Sequence, residues 1–277
     1  MNSENGSSGS IGVFDSGVGG LSVLRAIRLA LPQESILYLA DQAHVPYGPR
    51  PLEQVQDFAE GITRYLLEQG AKLVVVACNA ASAAALQHLR SVFPGVAFVG
   101  MEPAVKPAAE HTRTGRVGVL ATPATFQGAL YASVVERFAN GVTVLQNTCP
   151  GLVMEIEAGR QDTPHVRAIL EEALYPMLAQ GIDTVVLGCT HYPFVIPLIE
   201  EIAGPGVRVI DPAPAIARQV GRLLDQRGLR NPSTGPGAVR FLTSGDPGRL
   251  AILLPKLLGE TGEVRQVVWD LGELRGD

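Results

Sequence analysis

Two cysteines stand at matching points of the chain. Cys78 ends the run Gly70-Ala-Lys-Leu-Val-Val-Val-Ala-Cys78-Asn79, and Cys189 ends Gly181-Ile-Asp-Thr-Val-Val-Leu-Gly-Cys189-Thr190. The two runs lie over each other without a gap. A free thiol, with a pKa of about 8.5, already carries a few per cent thiolate near neutrality, which makes it a competent base and nucleophile. Two thiols facing one substrate suit the inversion of a stereocentre: one removes a proton from one face while the other returns a proton to the opposite face. Each must be a thiolate in one direction and a thiol in the other, so an acidic or imidazole partner is expected beside each. Asp15 is the candidate beside Cys78, and His191, two residues after Cys189, is the candidate for the other.

These residues have to be positioned by regular elements. Apolar runs over 11–14, 36–40, 73–77, 96–100, 116–121, 142–146, 184–188, 208–210, 239–243 and 265–269 read as strands. Helical patterns over 21–31, 52–69, 81–92, 126–138, 166–180, 196–202, after 213 and over 249–258 separate them. Continuous apolar strands alternating with helices predict an α/β fold with mostly parallel sheets covered on both faces. Ile11-Gly-Val-Phe-Asp15-Ser16-Gly also lies over Val117-Gly-Val-Leu-Ala121-Thr122-Pro, at nearly the offset that relates the two cysteine runs. The pattern predicts a duplicated unit, two pseudo-symmetric domains with a cleft between them. The expected division is 11–100 plus 212–277 for the first domain and 101–211 for the second, after a disordered tail at 1–10.

In open α/β sheets ligands bind beyond the carboxyl ends of the strands. The residues expected there are Asp15, Ser16, Pro46, Tyr47, Gly48, Cys78, Asn79, Thr122, Cys189, Thr190 and His191. No Arg or Lys lies inside these segments, so an anionic substrate would be held by neutral donors and by helix N-termini. Gly17, Gly19 and Gly20 would let the backbone approach closely. Asp15 and Ser16 also fit a helix cap, and Pro46-Tyr47-Gly48 fits a turn. Cys149, followed by Pro150, has no counterpart in the duplicated runs and reads as a small buried hydrophobe.

Composition excludes several classes. The chain is 46% hydrophobic and 18% charged with a net charge of −5, which argues against a nucleic-acid partner. Lysine occurs only at Lys72, Lys106 and Lys256, leaving few candidates for a Schiff base to pyridoxal phosphate. Three cysteines without a C-x-x-C pair provide neither a disulfide framework nor a zinc site. His44, His88, His111 and His165 lack metal-ligand spacing, and no cofactor or metal is expected. Without an apolar leader or a long apolar run, the expectation is a cytoplasmic protein with no membrane segment.

Five motifs in order then resemble one family. Phe14-Asp15-Ser16-Gly17-Val18-Gly19-Gly20-Leu21-Ser22-Val23-Leu24, Asp41 through Pro46-Tyr47-Gly48, Ala77-Cys78-Asn79 and Gly188-Cys189-Thr190-His191-Tyr192-Pro193 resemble glutamate racemases, a branch of the aspartate/glutamate racemases. A fifth, weaker match is the Cys149-Pro150 segment leading to Glu157-Ala-Gly159. The resemblance implies two racemase-type α/β domains, with the C-terminal segment returning to the first. It implies Cys78 and Cys189 as acid/base thiols, Asp15 assisting Cys78, and His191 assisting Cys189. It implies that Asp15, Ser16, Tyr47, Gly48, Asn79, Ala80, Cys189 and Thr190 line a glutamate site. It further implies a homodimer that supplies D-glutamate for peptidoglycan. Ala80 departs from the family, which carries Thr there, so one substrate hydrogen bond is expected to be replaced. The family also places a Glu near His191; Glu157 fits best, with Glu155 the competitor.

Other readings compete. Racemases of aspartate or of a hydantoin would share the fold and the thiol pair. A hydrolase using Cys189 and His191 would leave Cys78 idle, and a non-catalytic binding protein would not need both thiols. A dinucleotide fold would read Gly17-Val-Gly19 and Asp41 as its fingerprint, but Ser22 stands at the third glycine position and Asp15 would repel a pyrophosphate.

Overall fold

A computed structural model describes residues 7–276. The strands are β1 (Ser10–Asp15), β2 (Ile36–Ala40), β3 (Ala71–Val76), β4 (Phe98–Gly100), β5 (Arg116–Ala121), β6 (Thr143–Asn147), β7 (Thr184–Gly188), β8 (Arg208–Ile210), β9 (Val239–Thr243), β10 (Val264–Asp270) and β11 (Glu273–Gly276). The helices are α1 (Leu21–Ala30), α2 (Leu52–Glu68), α3 (Asn79–Val92), α4 (Val105–His111), α5 (Pro123–Gln127), α6 (Ala129–Phe138), α7 (Leu152–Glu157), α8 (Pro164–Ala179), α9 (Ile196–Ala203), α10 (Ala213–Arg227) and α11 (Pro247–Leu257).

Among the described residues the strands form two sheets, ordered β11-β10-β9-β2-β1-β3-β4 and β6-β5-β7-β8. All pairings are parallel except the β10–β11 hairpin at one edge. The segment β2-β1-β3-β4 has the same order as β6-β5-β7-β8, so β1 corresponds to β5 and β3 to β7. This is the correspondence expected from the two superposed sequence segments. The C-terminal strands β9 to β11 extend the first sheet past β2.

The central strands are apolar on both faces because helices cover both. Ile11, Val13 and Phe14 in β1, Val74 to Val76 in β3 and Val185 to Leu187 in β7 are fully buried. Each such side chain contributes roughly 1.5–3 kcal/mol of burial. Val13 and Val75 of the first sheet share one apolar cluster with Val185 and Leu187 of the second, which joins the two halves on one side of the cleft. Helix α2 turns its apolar stripe of Val55, Ala59, Ile62 and Leu66 inward and stops at Gly70, whose φ of +83° only glycine adopts freely.

Several details differ from the sequence reading. The helix expected over 126–138 is two helices, α5 and α6, broken at Gly128. A side chain there would meet the Cβ of Ala83 at 2.6 Å, so close packing of this break on α3 requires glycine. Helices α4 and α7 and strand β11 are too short to print a clear period. Of the tail expected at 1–10, residues 1–6 lie outside those described; Ser10 opens β1, and the Ser7 carbonyl accepts from Lys72 Nζ at 2.7 Å. Among the described residues, no helix is long and apolar enough to cross a membrane.

Candidate active site

The loops after β1, β3, β5 and β7 meet between the two sheets. They line a narrow, partly open cavity formed by Ser16, Pro46, Tyr47, Gly48, Cys78, Asn79, Ala80, Thr122, Val153, Cys189, Thr190 and His191. Both cysteines therefore face one space, each from the C-terminal side of a central strand. Asp15 and Glu157 stand directly behind this lining.

Cys78 is the N-cap of α3, and its Sγ accepts the Ala81 N–H at 3.5 Å. Ser16 Oγ lies 4.0 Å from the same sulfur. Burial pushes the Cys78 thiol well above its ordinary range; the charges of Asp15 and Cys189 add to this, and the Ala81 N–H partly opposes it. Next to it Asn79 is buried, and both polar atoms of its side-chain amide lack a partner. An orphaned amide at this depth costs about 1–3 kcal/mol, a cost that a polar ligand would relieve.

Asp15 was expected beside Cys78, but its hydrogen bonds run elsewhere. Oδ2 accepts from Gly17 N at 3.1 Å and Gly20 N at 3.0 Å, and Oδ1 accepts from Thr190 Oγ1 at 3.3 Å. It acts on Cys78 through charge alone. Burial raises the Asp15 carboxyl above its ordinary range, and the facing His191 pulls it back. The bonds to Gly17 and Gly20 clamp the glycine loop, while the bond to Thr190 ties it to the loop after β7. Ser22 Oγ makes the same crossing to the Thr190 carbonyl at 2.9 Å. The Thr190 hydroxyl proton, expected to serve the substrate, is thus committed to Asp15.

Across the cavity Cys189 Sγ lies 3.8 Å from His191 Nδ1, and His191 Nε2 lies 2.6 Å from Glu157 Oε1. Glu157 Oε1 also accepts the Val18 N–H at 2.7 Å, and Oε2 accepts from Gln42 Nε2 at 3.1 Å. Burial disfavours the charge on His191, but Cys189 and Glu157 outweigh it and hold the imidazole well above its ordinary range. Burial likewise opposes the Glu157 carboxylate, yet its hydrogen bonds, His191 foremost, keep it below the usual range. A protonated His191 donates from both ring nitrogens, one toward sulfur and one toward carboxylate.

Glu155, the competitor for this place, points away and pairs with Arg160 at 2.8 Å. Gly17 and Gly19 are required by proximity: a Cβ on Gly17 would lie 1.8 Å from Glu157 Oε1, and one on Gly19 would lie 2.4 Å from His191 Nδ1. Tyr47 forms a wall held by its hydroxyl bond to Asp41 at 2.6 Å. Asp41 is fully buried and also accepts from His44, Ser244 and Trp269, so it is not presented to a ribose as a dinucleotide site would require. Cys149 is buried and free, its thiol pushed up to about 12 by burial, in keeping with a structural role.

Sequence reasoning missed Val153, Gln42 and the Val18 N–H. Val153 stands in a short apolar stretch with no polar signal, and the other two are recognisable only by what they touch.

A family model described as Asp/Glu/Hydantoin racemase matches residues 11–220. A glutamate racemase from Roseiflexus is 51% identical over 93% of this chain and 95% of its own length. Among solved structures, a glutamate racemase isoform from Bacillus anthracis superposes with a TM-score of 0.85 at 33% identity, covering 96% of this chain and 99% of the other. A glutamate racemase from Francisella tularensis, solved in complex with D-glutamate, gives 0.82 at 29% identity over 96% and 98%. By motif, fold and extent of match, the chain belongs to the Asp/Glu/Hydantoin racemase family.

Proposed function

We propose that this chain is a glutamate racemase that moves the Cα proton of glutamate between Cys78 and Cys189. The observation that carries the reading is one cavity with a thiol contributed from each of two sheets and a buried charged group behind each thiol. The glutamate specificity is supported by relatives of that activity at about half identity across nearly the whole chain.

In one direction the Cys78 thiolate takes the Cα proton. An S–H bond forms as the C–H bond breaks, and the electron pair stays on Cα, delocalised into the neighbouring carboxylate. The Cys189 thiol then delivers its proton to the opposite face and becomes a thiolate, facing the N–H of a protonated His191. The reverse reaction exchanges the two roles. Both bases are already in place, so the substrate need not turn over within the cavity. The unpartnered Asn79 amide suits a substrate carboxylate or ammonium, since it offers both donors and an acceptor. Pro46, Tyr47, Gly48, Ala80 and Thr122 shape the wall, and Ala80 leaves that part of the wall without a hydroxyl.

This reading also includes a cytoplasmic homodimer supplying D-glutamate for peptidoglycan, on the strength of the family resemblance. It includes a division into domains 11–100 with 212–277 and 101–211, supported by the distribution of strands between the sheets.

The test is proton exchange. With L-glutamate in D2O and no added cofactor, deuterium is expected at Cα of the D-glutamate formed, read by NMR and chiral analysis. Exchange with aspartate but not glutamate would move the substrate and keep the chemistry. No exchange with any amino acid would overturn the two-thiol reading.

A further inference from the structure

The geometry points to Gln42 as a positioning residue for the Glu157–His191 pair, itself oriented by Thr243 of the C-terminal strand β9. The inference rests on the two-thiol reading above and extends it to residues that do not line the cavity.

A chain of hydrogen bonds with fixed polarity runs from the first sheet into the acid/base machinery of the second. Thr243 is fully buried, and its Oγ1 accepts the Gly245 N–H at 3.0 Å. Its own proton then goes to Gln42 Oε1 at 2.9 Å. With that oxygen occupied, the Gln42 amide turns its NH2 toward Glu157 Oε2 at 3.1 Å. The carboxylate can only accept, so it draws the NH2 end of the amide, and the Thr243 hydroxyl, donating to the oxygen left on the other side, holds the amide in that rotation. Gly245 permits the approach, since a side chain there would meet Gln42 Cβ at 2.8 Å. Ser244 reinforces it: its hydroxyl accepts from Ala43 N at 3.0 Å and donates to Asp41 Oδ1 at 2.6 Å.

Gln42 is the side-chain donor to Glu157 Oε2, whereas Oε1 is shared by Val18 N and His191 Nε2. Holding Oε2 fixes the rotation of the carboxylate about its last bond, which aims Oε1 at the imidazole. A donor on Oε2 also stabilises the ionised form. The titratable groups facing Glu157 are His191 from the loop after β7, Asp15 at the end of β1 and Tyr38 of β2. Only His191 among them donates to the carboxylate. The C-terminal segment thereby acts on Cys189 through β9, Gln42, Glu157 and His191 in turn.

Gln42→Ala, Thr243→Val and Thr243→Ser in the full chain test this. Gln42→Ala leaves Oε2 buried without its donor, so ionised Glu157 is disfavoured and the acidic limb of the kcat/KM profile should move to higher pH. The kcat should fall about tenfold, the loss expected for one hydrogen bond to a charged group. Thr243→Val should shift the limb the same way by less, and Thr243→Ser, which keeps the hydroxyl, should restore the wild-type profile. Independently of turnover, the downfield Nε2 proton of His191 should shift upfield in Gln42→Ala. A wild-type pH profile and an unmoved imidazole proton in Gln42→Ala would overturn the inference while leaving the racemase reading intact. A fall in kcat with the limb and the imidazole proton unchanged would also overturn it, since that is what a merely structural residue would give. Absence of exchange by the wild-type enzyme would bring down the racemase reading, and the imidazole proton would still judge the Gln42 contact.

Discussion

Glu157 Oε1 sits 2.6 Å from His191 Nε2, although Glu157 ends helix α7, His191 lies in the loop after β7 and the two are 34 positions apart. Both are buried, and each holds the other in its charged form against the cost of burial. An isolated buried charge would be neutralised; a pair with two further donors on the carboxylate, Val18 N and Gln42 Nε2, and the Cys189 sulfur facing the imidazole is sustained.

The pair makes stability depend on pH in a defined window. His191 is raised above its ordinary value of 6.5, so its contribution is complete below that pH and is lost as pH rises through the higher folded-state value. Glu157 is lowered from 4.5, so its contribution is present above that pH and is lost as pH falls through the lower folded-state value. Thermal unfolding should therefore show the benefit of the wild type over Glu157→Gln greatest between these limits. Glu157→Gln should also reduce kcat, whereas Glu155→Gln, which breaks only an exposed pair with Arg160, should leave turnover and its pH profile unchanged. Equal effects of the two substitutions would contradict this assignment.

Cys78→Ser and Cys189→Ser should each reduce racemisation by roughly 10²–10⁴-fold, the usual loss when an acid or base is removed. Each substitution is nearly isosteric, so the melting temperature should change little. Racemisation near the wild-type rate in either variant would rule out the two-thiol mechanism.

Gly17→Ala would drive a methyl group into Glu157 Oε1. Because that oxygen is pinned by Val18 N and His191, the carboxylate cannot yield without losing one of them. The expected result is a fall in kcat larger than that of an alanine placed at exposed Gly95, where nothing lies within 4 Å of the added carbon. Steady-state kinetics of the two variants would check it.

Asp41→Asn should destabilise the fold by about 1–3 kcal/mol, because the new amide would point an N–H at groups that are themselves donors. Trp269 Nε1, Ser244 Oγ, Tyr47 OH and His44 Nδ1 all converge on this carboxylate. Tyr47 would lose its anchor, so KM should rise along with the loss of stability. Denaturant unfolding and substrate titration would measure the two effects separately.

Much of this was legible in the chain itself. Buried parallel strands must be apolar on both faces, so β1, β3, β5 and β7 print as continuous Val/Ile/Leu runs, and the residue types that follow them announce the site. The positions of Cys78 and Cys189 after equivalent strands, the glycines at 17 and 19 and the Pro46-Tyr47-Gly48 turn all follow from local sequence. The separation of α5 from α6 did not, because Gly128 breaks the helix in answer to Ala83 of a different element. Only the tertiary structure decided that Glu157 and not Glu155 meets His191, that Asp15 bonds Thr190 across the cleft, and that Val153 and Gln42 belong to the site. The physical reason is one of range. Periodicity and turn chemistry are set by neighbours a few residues away, whereas hydrogen bonds between loops of two sheets are chosen by how those sheets pack, and no single segment carries that information.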